Sequence, residues 1–175
     1  MRSKAETLEF TLLGLLSQSS LHGYEIRKRI SAIHGPFRAL SFSVLYPQLR
    51  RMLAAGLIEE SVDSSTRRSR IIYTITKAGQ KRFTQLTDAV NPASWDDDGF
   101  EARLAFFGAT SSHSRLRVLE GRHRRLKERA EILREELERA ELGLDKYLAE
   151  WRRHSLESTE REIVWLEKLI HTESK

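Results

Sequence analysis

The sequence predicts a mostly α-helical protein with one small β-hairpin: an N-terminal winged helix-turn-helix, then a region of long helices that dimerises like a coiled coil. Three observations predict it. Apolar residues recur at helical spacing over the first 55 positions, alternate as β-branched and aromatic residues between 57 and 75, and then return to the helical period. A heptad pattern runs from residue 116 to residue 151. The charge is unevenly divided. Residues 1–90 hold 14 Lys and Arg against 7 Asp and Glu, and residues 91–175 hold 16 against 18, so the net charge of +5 belongs to the first part alone. A basic part expects a polyanionic partner, and a charge-balanced helical part expects another helix.

Leu8, Leu12, Leu15 and Leu16 form the stripe of a first helix, with Thr7 placed to cap it. Ile26, Ile30 and Ile33 mark a second helix, from about His22 to Ile33, which Gly35-Pro36 stops. A third runs from Ser43 to Ala55 with Val44, Leu45, Leu49, Met52 and Leu53 inward. Pro47 falls in its first turn and Gly56 just past its end. Leu57–Val62 and Arg70–Ile75 read as two strands joined by the polar turn 63–69, whose tip carries Arg67, Arg68 and Arg70. A helix with Phe83, Leu86 and Val90 inward follows Thr76. Residues 91–99, with a Pro, a Gly and three Asp, are the expected linker between a domain at 1–90 and a second at 100–175.

Three helices, a basic-tipped hairpin and a helix are the order of a winged helix-turn-helix, whose third helix enters the major groove while the wing follows the backbone. That helix and its approach offer Ser41, Ser43, Tyr46, Gln48, Arg50 and Arg51. Gln pairs with adenine and Arg with guanine in that groove. Arg67, Arg68, Arg70 and Lys77 suit phosphates, which set affinity and register.

The segments Leu21-His22-Gly23-Tyr24-Glu25-Ile26, Ser43-Val44-Leu45-Tyr46-Pro47-Gln48-Leu49, Gly56-Leu57-Ile58 and Tyr73-Thr74-Ile75-Thr76-Lys77-Ala78-Gly79 resemble, in that order, the PadR family of bacterial transcriptional regulators. The resemblance covers roughly residues 8–85, and Val164-Trp165-Leu166-Glu167-Lys168-Leu169 is similar to the last helix of the larger PadR subfamily. It implies a homodimeric repressor that responds to small, often aromatic or phenolic, ligands. It also implies that Ser43, Tyr46 and Pro47 lie at the DNA and that the Gly23-Tyr24 turn approaches the phosphates. Glycine has a physical reason there, since it lets a backbone N–H come close. Family wings are richer in glycine than residues 63–69.

In the second part, Leu116, Leu119, His123, Leu126, Ala130, Leu133, Leu137, Ala140, Leu144, Tyr147 and Trp151 alternate spacings of three and four over five heptads. His123 reads as a core-edge imidazole, and Gly143 marks a bend. Ser155–Thr159 breaks the repeat, with Thr159 and Glu162 spaced as a capping box. A shorter helix then carries Trp165, Leu166 and Leu169, folding back on its own chain or reaching across to a partner. So long a seam is expected to be buried by a second copy. Phe100 to Phe107 reads as a short apolar helix. Trp95, Phe106, Phe107, Tyr147 and Trp151 are the candidate lining of an effector pocket.

Absence of cysteine excludes disulfides and thiolate chemistry and fits a reducing cytoplasm. No apolar run reaches the roughly 18 residues that span a bilayer, and the mixed charges of residues 1–9 are unlike a secretory signal. The histidines (His22, His34, His113, His123, His154, His171) lack metal-binding spacing, and no glycine-rich phosphate loop or nucleophile elbow occurs. The expectation is therefore no enzyme, no metal and no cofactor. The partners expected are double-stranded operator DNA, a second copy of the chain and a small-molecule effector, with no membrane. Two rivals remain: a winged coiled-coil adaptor acting on proteins, and an architectural protein that binds DNA without sequence preference.

Overall fold

The computed structural model describes residues 2–35, 42–63, 70–140 and 146–175. Pro36, Ser41, Arg67, Arg68, Gly143 and Leu144 lie outside the described residues. The chain forms two compact units, Met1–Ser111 and Ser112–Lys175.

In the first unit, α1 (Arg2–Gln18) is the central helix. From Phe10 to Leu16 every side chain is buried, not only the expected stripe, because other elements cover it on all sides. It begins before Thr7, which is no cap: the Thr7 carbonyl accepts the Thr11 hydroxyl at 2.8 Å, satisfying a wholly buried Thr. Leu21–His22 form a short strand, β1, where the sequence suggested the start of a helix; two residues carry no readable period. α2 (Gly23–His34) turns Ile26 and Ile30 inward. α3 (Phe42–Ala54) packs through Leu45, Leu49 and Met52. Two expectations fail in α3. Val44 points outward and Gln48 takes the inner place, and Pro47 sits inside the helix, not in its first turn. Gly56 follows with φ +66°, the left-handed turn that ends the helix.

β2 (Ile58–Asp63) and β3 (Arg70–Ile75) pair antiparallel from Ile58↔Ile75 to Asp63↔Arg70. β1 adds to the other edge of β3 through Leu21↔Tyr73 and His22↔Ile72, giving the order β1-β3-β2. α4 (Lys77–Asp88) starts where Thr76 Oγ1 accepts the Gly79 N–H at 3.1 Å, and buries Phe83 and Leu86.

The expected linker is ordered and belongs to the first unit. Pro92–Trp95 form a turn of 3₁₀ helix, opened by a reciprocal Asn91–Ser94 capping box. α5 (Asp97–Leu104) follows, earlier than the expected apolar helix, and Phe107–Ala109 make a second 3₁₀ turn. The segment packs on α1, where Phe106 lies over Gly14: a Cβ there would come within 2.7 Å of the ring. The ring joins Phe10 and Phe83, with centroids 5.6 and 5.8 Å away and edge-to-face geometry.

The second unit corrects the single long helix. α6 (Ser112–Ala140) and α7 (Lys146–Glu173) run antiparallel and pack on each other. Leu119, Leu126, Ala130 and Leu133 of the heptad seam are buried, as is Leu166 of α7, while Leu116, Leu137 and Leu169 are half-buried. From Leu119 to Leu133 the seam is thus covered by the chain's own tail. Ser155–Thr159 is no break, since α7 runs through it with the Thr159 hydroxyl donating to the Ser155 carbonyl. Ion pairs fix the register: Arg115–Glu173, Arg122–Glu162, Arg134–Glu160 and Arg152–Glu136, each at 2.7–2.8 Å, and His123–Glu167 at 3.1 Å. His123 is the core-edge imidazole expected.

Candidate nucleic-acid interface

The outward face of α3 presents Ser43, Tyr46, Pro47 and Arg50, spaced three and four apart along one stripe. Gln48 is not part of it. It is 6% exposed and turned inward, so it does not offer its amide to a base edge. Arg51 is exposed but lies on the flank that faces α1 and α4.

The start of α2 meets this stripe. Gly23 is buried, and a Cβ on it would lie 3.1 Å from the Tyr46 hydroxyl, so only glycine gives the phenol this seat without displacement. Tyr24, beside it, is 71% exposed. The His22 side chain does not cap α2; its Nδ1 lies 3.4 Å from the Ile71 carbonyl. The helix N-terminus, where partial positive charge collects, therefore receives no side-chain cap from His22.

Beneath α3 lies Tyr73 of β3, buried, with Glu60 opposite it in register. Burial first, then Glu60 and Tyr46, push its phenol above the usual tyrosine value, against a smaller pull from Arg50. The phenol stays neutral beneath the stripe. Sequence pattern missed both the inward Gln48 and the supporting Tyr73, because both depend on which elements pack against α3. Arg70, at the strand end opposite Asp63, and Lys77, the first residue of α4, are exposed.

The five candidate effector residues are divided between the two units. Phe106 is core and Trp95 and Phe107 are half-buried in the first unit, whereas Tyr147 and Trp151 are exposed on α7 in the second. Among the described residues no cluster of His, Asp and Glu has the makings of a metal site, and no helix is long and apolar enough to cross a membrane.

Residues 12–85, which run from α1 to α4, match the model of the Transcriptional regulator PadR-like family. They form a PadR-like domain. A curated relative, the negative transcriptional regulator PadR of Bacillus subtilis, is 29% identical over 75 residues, which is 42% of this chain. The chain thus spans about two-fifths (41%) of the length of that relative. Among solved structures, Bacillus subtilis PadR in complex with operator DNA is 20% identical over 95% of this chain and 98% of the other, with a TM-score of 0.43. The protein smu.1704 from Streptococcus mutans is 29% identical over 47% of this chain and 74% of the other, also at 0.43. The match to the PadR-like family includes Gly23, Tyr46 and Arg50, and leaves out the second unit.

Proposed function

We propose that the protein is a DNA-binding transcriptional regulator, a homodimeric repressor that sits on an inverted-repeat operator and leaves it when a small ligand binds. The observation that carries this is the joint surface of Ser43, Tyr46, Pro47 and Arg50 with the start of α2, which His22 does not cap. A recognition stripe beside a helix N-terminus supplies both base contacts and a phosphate anchor. The charge excess lies in this same part of the chain. Gly23, Tyr24, Arg70 and Lys77 take the backbone in this reading, joined by Arg67 and Arg68 of the wing. Repression follows the curated relative, a negative regulator. Its name gives a regulator and no reaction, in keeping with a protein that is not an enzyme.

Dimerisation is supported by Tyr147, Trp151 and Trp165. Spacings of 4 and 14 put them on one stripe of α7, and all three are exposed. A two-fold pair presents two α3 helices to half-sites about 34 Å apart. The p-coumaric acid bound in a Bacillus subtilis PadR structure is the first compound to test as an inducer.

Footprinting on the protein's own promoter is the direct test. The expected result is a protected inverted repeat, with Tyr46→Ala and Arg50→Ala each costing about 1–3 kcal/mol of operator affinity and relaxing sequence preference. A footprint without favoured sequence, together with a steep salt dependence, would instead mark an architectural protein.

A further inference from the structure

One face of the hairpin carries Ile58, Glu60 and Val62 of β2 and, opposite them in register, Ile75, Tyr73 and Ile71 of β3. Ile58 and Tyr73 are buried and β2 packs on α3, so this is the inner face. Among these six residues Glu60 alone is charged. It is exposed, and so are Val62 and Ile71 one pair further out, beyond the buried Ile58 and Tyr73. An acid thus stands next to the proposed DNA surface, in a part of the chain rich in Lys and Arg. Tyr73 locates it relative to the stripe on α3. Opposite residues of an antiparallel pair hold their side chains about 5 Å apart, so Glu60 rises beside the buried phenol. After burial, Glu60 is the strongest influence raising the Tyr73 pKa, and Arg50 works against it. One phenol that feels both charges places them near each other, because surface charges are screened beyond roughly 10 Å.

We propose that Glu60 is a specificity-determining residue of the nucleic-acid interface: its carboxylate beside Arg50 repels phosphate, so that the stripe holds DNA firmly only where Arg50 reaches a base edge. The inference rests on the DNA-binding reading and adds to it a means of rejecting the wrong sequence. A lone guanidinium is drawn to any phosphate, and that attraction is the sequence-independent part of DNA binding. Discrimination is a difference of affinities, so weakening the hold on wrong sites serves as well as strengthening it on the right one. A phosphate that approaches Arg50 meets the carboxylate too and is repelled by it. The guanine acceptors O6 and N7 carry no formal charge and are spared. Glu59 provides the contrast. It is the neighbouring acid, equally exposed, but it stands opposite Thr74 on the outer face of the hairpin.

The experiment compares the affinity of the full chain for a duplex of its own promoter and for a shuffled duplex of equal length, over a range of salt. The proteins are the wild type, Glu60→Gln, Glu59→Gln, Arg50→Ala and the double variant Glu60→Gln, Arg50→Ala. Glu60→Gln is expected to bind the shuffled duplex about tenfold more tightly near about 0.1 M salt, with a salt slope steeper by about one, the mark of one added phosphate contact. Operator affinity is expected to rise less, so the preference for the operator falls. Glu59→Gln changes the net charge equally and is expected to leave the preference where it was. With Arg50 already removed, Glu60→Gln is expected to do no more than Glu59→Gln. Tyr73 gives a check without DNA: in Glu60→Gln its phenol is expected to titrate nearer the usual tyrosine value, read from the ¹³C resonances of the tyrosine rings. A wild type that does not distinguish the two duplexes would overturn the DNA-binding reading and this inference with it. Three results would overturn this inference alone: a preference that Glu60→Gln leaves intact or Glu59→Gln lowers as much, a weaker hold of Glu60→Gln on the operator, which would make Glu60 a direct base contact, or an unmoved Tyr73.

Discussion

At Arg103 a guanidinium closes the end of a helix. Its two terminal nitrogens donate to the carbonyls of Thr87, Leu86 and Ala89 at 2.8–3.1 Å, around the C-terminus of α4, while its carbon lies 5.1 Å from the centre of the Phe10 ring. The last carbonyls of a helix lack internal donors and carry partial negative charge, so a cation is well placed there. Burial lowers its pKa, opposed by Glu6, yet an Arg starts so high that the cap stays charged at any physiological pH. Arg103→Ala is expected to cost the first unit about 2–3 kcal/mol, the range for hydrogen bonds from a charged donor, with Arg103→Lys recovering part. Urea unfolding followed at the tryptophans measures both. The sequence marks no such role, since in a chain this rich in Arg a cap made across 16 residues looks like any surface cation.

Element by element, what could be read from the sequence was what depends on neighbours along the chain. The isoleucine stripe of α2, the β-branched run of β3, the Thr76 cap and the glycine after α3 are local signals, and each lies where the pattern put it. The failures share one cause. β1 exists only because β3 offers an edge, and Gln48 is inside only because α1 and α4 flank α3. The heptads of 116–151 gave spacing but no direction, so a reversal of the chain looked like continuation. Of the candidate site, Ser43, Tyr46 and Arg50 were read off the third helix together with Gln48 and Arg51, and Pro47 came with the family resemblance, whereas the partner that buries each inner residue was not legible. Gly14 shows how tightly elements are matched, as the Phe106 ring rests where a Cβ would stand. Gly14→Ala should force that ring away and cost about 1–3 kcal/mol, seen as a lower melting temperature. An unchanged melting temperature would mean that the ring shifts freely.

For the molecule as a whole, the intrachain hairpin alters what a dimer test should change. Leu126 and Leu133 lie between α6 and α7, so aspartate at either would melt the second unit before it said anything about a partner. Tyr147 and Trp151 are exposed on the hairpin, and glutamate in their place leaves its interior untouched. The double variant Tyr147→Glu, Trp151→Glu is expected to sediment as a monomer with undiminished helix content. Its operator affinity should fall by about a hundredfold or more as the second half-site becomes an independent binding event. A dimer that persists would move the interface elsewhere on the surface.

The seat that Gly14 makes for Phe106 also decides where the chain can be cut. A fragment stopped at residue 90, just past α4, would strip Phe106 from Phe10 and Phe83 and Arg103 from the end of α4. It would present a bare aromatic face and an unplugged helix, both invitations to aggregation. The smallest self-sufficient piece therefore ends near Ser111, well beyond Lys77, the last side chain proposed for DNA.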